Sequence, residues 1–177
     1  MSSTESFNKN IDTDFTDSDF INFIGLRNTE YYFKKWKNNK DKGLFASWNW
    51  ASFFLGLYWL LYRKLYAWFV GIAIIDTICI TLISVYSPII AGLIPLIIAI
   101  LLGIFGNSIY IKHSKKKIKS LKTFFDEYGD TREALEANGG TTLVAPIVLL
   151  AMSTIITIAS TMLFTSFLSS LFYSFSF

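Results

Sequence analysis

A chain of 177 residues that is 53% hydrophobic, 18% aromatic and only 16% charged lies well away from the averages of soluble domains. Its mean hydropathy of +0.44 makes the bilayer the expected solvent, and the length leaves room for a handful of membrane helices. The net charge is a modest +3, and the single cysteine, Cys79, excludes an intramolecular disulfide.

Residues 1–19 are rich in Ser, Thr, Asn and Asp and hold no apolar core segment, so they read as a disordered acidic tail, neither secretory signal nor Arg-rich presequence. Residues 20–43 follow as a basic amphipathic segment. Asn28 and Thr29 can cap a helix whose Tyr32, Phe33 and Trp36 share a face, with Lys34, Lys35, Lys37 and Lys40 on the others. Such a helix suits an anionic membrane surface, although packing on its own chain explains the pattern equally well.

The stretch SWNWASFFLGLYWLLYRKLY then raises a topological question. Basic blocks stand at 34–42, 63–64 and 112–122, and all three prefer the cytoplasmic side. Residues 65–86 and 89–111 satisfy this as a spanning hairpin turning at Ser87-Pro88. Residues 44–62 have basic flanks on both sides and are too short to cross twice, so an interfacial or re-entrant helix is expected. Trp48, Trp50, Tyr58, Trp59, Tyr62, Tyr66 and Trp68 are spread along it, as suits a segment at the headgroup boundary. Gly56 is either its bend or a close-packing site.

Residues 112–140 read as a cytosolic linker containing a short helix near 131–137, stopped by Asn138-Gly139-Gly140. Residues 141–164 form a third span, and 165–177 an interfacial tail with Phe and Leu on one face and serines on another.

Few residues offer chemistry. Asp76 sits halfway along the first span, where an ionised carboxylate is costly, and Ser153, Thr154 and Thr157 on the last span are its expected hydrogen-bond partners. Lys34, Lys35, Trp36, Trp48, Trp50, Trp59, Tyr62, Arg63, Lys64 and Tyr66 are the candidate headgroup contacts. Asn49 is more naturally a helix cap or backbone partner than a ligand. His113 is the one histidine, so neither a histidine-rich metal site nor a nucleophilic triad is expected, and no cofactor is implied.

The aromatic stretch also resembles the signature of a bacterial inner-membrane family catalogued as a domain of unknown function, approximately s-f-N-w-a-A-f-f-f-G-x-x-W-l-l-Y-R-K-M-Y. Asn49, Trp50, Ala51, Phe53, Phe54, Gly56, Trp59, Tyr62, Arg63, Lys64 and Tyr66 match, and Leu65 replaces the usual Met. RNTEYYFKKW, GNSIYIKH and GGTT are similar to the flanking parts, giving coverage from Phe23 to Thr142. The resemblance implies a membrane fold and brings no activity or catalytic residues.

The sequence thus predicts an all-α integral membrane protein with three transmembrane helices, one interfacial or re-entrant aromatic helix and short cytosolic amphipathic helices. A bacterial inner-membrane location with the N-terminus cytoplasmic follows from the charge bias and the resemblance. The expected role is non-enzymatic, as a membrane-organising or accessory protein with a lipid-facing cytosolic surface. Its partners are the bilayer and anionic headgroups, with a second copy or another membrane protein as further candidates and no nucleic acid. The alternative is an oligomeric ion or small-solute transporter using Asp76.

Overall fold

The computed structural model describes residues 16–25, 27–39, 42–125 and 131–175. Among these, all regular structure is helical. The chain divides into two compact units, one running to Thr142 and one from Leu143 onward.

The first unit opens with α1 (Asp17–Ile24), which starts on a capping box. Thr16 Oγ1 accepts from the Asp19 amide at 3.2 Å while the Asp19 carboxylate accepts from the Thr16 amide at 2.9 Å. The helix therefore begins inside the segment read as a tail; residues 1–15 lie outside the described residues. Gly25, at φ 74°, ends it, and Asn28, at φ 62°, turns the chain into α2 (Thr29–Asn39). The single helix expected over 20–43 is thus two, because this turn needs left-handed backbone twice.

An extended stretch leads to α3 (Trp50–Leu55) and α4 (Leu57–Tyr62), separated by Gly56 at φ 52°, ψ −127°. A Cβ on Gly56 would meet nothing within 4 Å, so this glycine serves the bend and not close packing. The two six-residue helices replace the one aromatic helix expected from the sequence, and each is far too short to span.

Lys64, at φ 59°, turns the chain into α5 (Tyr66–Ser84). A cap by Ser87 and Pro88 begins the short α6 (Pro88–Ala91), and α7 (Ile94–Phe125) follows. At 32 residues, α7 is about 48 Å long and carries the lysine block without interruption, so the expected linker starts as helix. Nothing between Ile111 and Phe125 breaks a helix, and the apolar Ile118 and Leu121 are buried. Next comes α8 (Thr131–Asn138), closed by Gly139 and Gly140.

The core of this unit lies around the C-terminal half of α7. Phe20, Phe23, Ile24, Tyr32, Trp36, Trp59, Leu60, Leu65, Tyr110, Ile118 and Leu135 form it, gathered from α1, α2, α4, α7 and α8. Residues 63–64 join here, since Arg63 stacks on Tyr32 and Tyr110 and Lys64 donates to the Ala137 carbonyl at 3.1 Å. In contrast, α5 buries no residue completely within the protein, as expected of a helix whose solvent is hydrocarbon.

The second unit is α9 (Val144–Phe175), one unbroken helix of 32 residues. The helix continues unbroken through the residues read as an interfacial tail, where Thr165 and Ser169 return their hydroxyls to carbonyls of the same helix. Tyr66–Ser84, Pro88–Phe125 and Val144–Ser174 are each long and apolar enough to cross a membrane. The protein is an all-α membrane protein.

Candidate functional site

The extended residues before α3 are stitched to the middle of α7. The Ser47 and Asn49 amides donate to the Ile104 and Gly103 carbonyls at 2.9 and 2.7 Å, and Ser52 Oγ donates to the Leu102 carbonyl at 2.8 Å. These carbonyls lie inside a helix and use their second lone pairs. Such close approach requires small residues: a Cβ on Gly106 would lie 2.7 Å from Ser52 Oγ, and one on Gly103 would lie 3.2 Å from Trp48 and Phe53 atoms.

Asn49 and Asn107 join the two segments. Asn49 Oδ1 accepts from the Ser52 amide at 3.1 Å, capping α3, and its Nδ2 donates to Asn107 Oδ1 at 2.9 Å. Asn107 Nδ2 shares its hydrogens among Tyr31 Oη at 2.9 Å and the Ser47 carbonyl and hydroxyl at 3.2 Å each. Tyr31 Oη donates onward to the Trp48 carbonyl, and Lys35 Nζ donates to Ser47 Oγ at 2.6 Å. Burial pushes the Tyr31 phenol above its ordinary range, which keeps that proton in place. The sequence assigned Asn49 its capping role but missed Asn107, whose signal was a lone amide beside a small-x-x-small pair in an apolar run.

Arg63 sits at a second junction. It is only 3% exposed, with its guanidinium carbon 4.3 Å from the Tyr32 ring centroid, 5.0 Å from Tyr110 and 5.7 Å from Tyr62. Among the described residues, its Nε and one Nη find no hydrogen-bond partner of good geometry, and the Tyr110 hydroxyl is enclosed beside the guanidinium. Aromatic faces stand where an acid would be expected, and the weakly hydrated guanidinium tolerates this better than an ammonium would.

The ten candidate headgroup residues therefore separate. Trp36, Trp59 and Arg63 are packed inside the protein at 4%, 1% and 3% exposure, so the aromatic face of α2 seals against its own chain. Their pattern at helical spacing is that of core. Trp48, Trp50, Lys34 and Tyr66 are exposed, while Lys35, Tyr62 and Lys64 are half-buried. Trp50 and Phe54 stack at 5.8 Å and stand 64% and 74% exposed, with Trp48 5.2 Å from Trp50. They form an outward aromatic ridge along α3.

Within α5, Asp76 Oδ1 is enclosed without a hydrogen-bond partner among the described residues. Its expected partners belong to the second unit, where Ser153 and Thr154 donate to the Leu150 carbonyl and Thr157 to the Ser153 carbonyl. Among the described residues, no group of three His, Cys, Asp or Glu side chains is placed to hold a metal ion.

A family model described as a protein of unknown function, DUF2628, matches residues 15–116. The chain belongs to this family. The match includes α1 to α6 and α7 as far as Lys116, so the polar junction, the Arg63 cage and the aromatic ridge all lie in family territory. The GGTT segment, which also carried the resemblance, lies beyond it. No curated protein and no solved structure shows significant similarity to the chain.

Proposed function

We propose that the protein is a non-enzymatic accessory or membrane-organising protein of the bacterial inner membrane, with the N-terminus cytoplasmic and a helical cap resting on the headgroups. The observation that carries this reading is the exposed ridge of Trp48, Trp50 and Phe54 beside side chains already committed to internal bonds. Asn49, Ser52 and Asn107 are the polar groups nearest that ridge, and each is consumed in joining α3 to α7. What remains outward is aromatic and basic, the composition suited to an interface between hydrocarbon and anionic headgroups. The segment 44–62 dips to the level of Gly103 on α7 and comes back by α4, which supports a shallow re-entrant course. A transport path through Asp76 would require further polar groups at its depth, and Asp76 Oδ1 draws none from its own unit.

Single-tryptophan variants test this reading in vesicles containing brominated lipid. Trp48 and Trp50 emission should be quenched strongly, and Trp36 and Trp59 emission little. Equal quenching of Trp50 and Trp36 would overturn it.

A further inference from the structure

Apart from the ridge on α3, a second group of basic and aromatic side chains gathers at the start of α5. Two adjoining clefts open where α5 begins. One, of about 430 Å³, is lined by Lys64, Tyr66, Ala67, His113, Lys117 and Asn138. The other, also about 430 Å³, shares Ala67, His113 and Lys117 and adds Trp68, Lys112, Lys116 and Ser120. Lys112, Lys116 and Lys117 pair with no acid among the described residues. Lys64 and Lys117 line the first cleft and Lys112, Lys116 and Lys117 the second, so positive potentials add across the adjoining pair and an anion is concentrated there.

A narrower groove leaves this mouth. It shares Ala67 and Trp68 and continues along Gly71, Ile72 and Ile75, one face of α5 running into the apolar span. Gly71 keeps it open, since a Cβ there would meet nothing within 4 Å. From Ala67 to Ile75 the groove descends about 12 Å along the helix. A free phosphate would use only the cationic mouth. An open apolar groove continuous with that mouth fits a molecule whose anionic head carries an acyl chain.

We propose that this cleft and groove bind an anionic glycerophospholipid, its phosphate among Lys64, Lys112, Lys116 and Lys117 and one acyl chain along Ala67, Gly71 and Ile75. Tyr66 and Trp68 flank the junction of head and chain, where an apolar ring with a polar edge is best placed. The inference rests on the surface reading for which end of α5 meets headgroups.

The test is native mass spectrometry of the full chain in detergent with added phosphatidylglycerol or phosphatidylcholine. Phosphatidylglycerol should be retained at least about tenfold better. The combined Lys112→Gln, Lys116→Gln and Lys117→Gln variant should fall to the phosphatidylcholine level, and Lys116→Gln alone, at an exposed position, should fall part of the way. Gly71→Leu should lower retention without altering charge, and millimolar glycerol 3-phosphate should displace nothing. Equal retention of the two lipids, or indifference to the lysine changes, would overturn the proposal. Displacement by glycerol 3-phosphate with Gly71→Leu silent would also overturn it, because the ligand would then be a soluble phosphate. Lost Trp50 quenching with intact lipid retention would remove the surface reading and keep the site, and the converse would remove the site alone.

Discussion

Asn107 and Arg63 show how differently one protein accommodates buried polarity. Asn107 is completely buried and engages both ends of its amide, whereas Arg63 is held by ring faces with two nitrogens unbonded. Asn107→Ala strands the buried Asn49 side-chain amide, at about 1–3 kcal/mol for a buried group left unpaired, and takes one donor each from Tyr31 and Ser47. Thermal unfolding in detergent should therefore show a midpoint several degrees lower, with Ser120→Ala, at an exposed position, unchanged. An Asn107→Ala midpoint equal to that of the parent would mean that the junction contributes nothing. Neither role was legible at this scale. An amide in an apolar run and an arginine beside a lysine look alike whether they face lipid, solvent or core.

At the scale of elements, α1 is fastened at both ends. Its N-terminus is tied to α7 by Asp19 and Lys122, 2.9 Å apart. Burial opposes ionisation of the Asp19 carboxyl, but the Thr16 amide and hydroxyl and Lys122 together outweigh it and hold the carboxyl below its usual 3.8. A depressed folded value means that the unfolded chain takes up protons first, so this stabilisation is present above about pH 4 and is lost as pH falls further. Phe20 packs on Trp36 at 5.1 Å, so Trp36 emission reports the docking of α1. It should change as pH falls below about 4 in the parent and respond much less in Asp19→Asn; identical titrations would exclude the ion pair. The other end of α1 meets Gly139, where an added Cβ would lie 1.8 Å from the Phe23 carbonyl oxygen. The sequence marked Gly139 as a helix stop. Its second duty, admitting the backbone of α1, depends on a contact more than a hundred residues away in the chain and has no local signal.

For the whole molecule, Arg63 and Lys64 are drawn to the core around the C-terminal half of α7, the helix that itself carries the block at 112–122. In a Cys79→Ser background, cysteines at positions 42 and 116 should label from one face of the membrane and one at Ser87 from the other. Opposite faces for 42 and 116 would require an odd number of crossings between them and would discard the three-span course. The sequence by itself determined the helical class and the three long apolar runs, because hydropathy and run length are local properties; that Gly56 serves a bend and not close packing was decided by the fold. Only the tertiary structure decided that Trp36, Trp59 and Arg63 belong to the core while Trp50 and Phe54 face outward. Aromatic residues suit a protein interior and a membrane boundary equally well, and the choice falls to whichever neighbours the fold brings within contact.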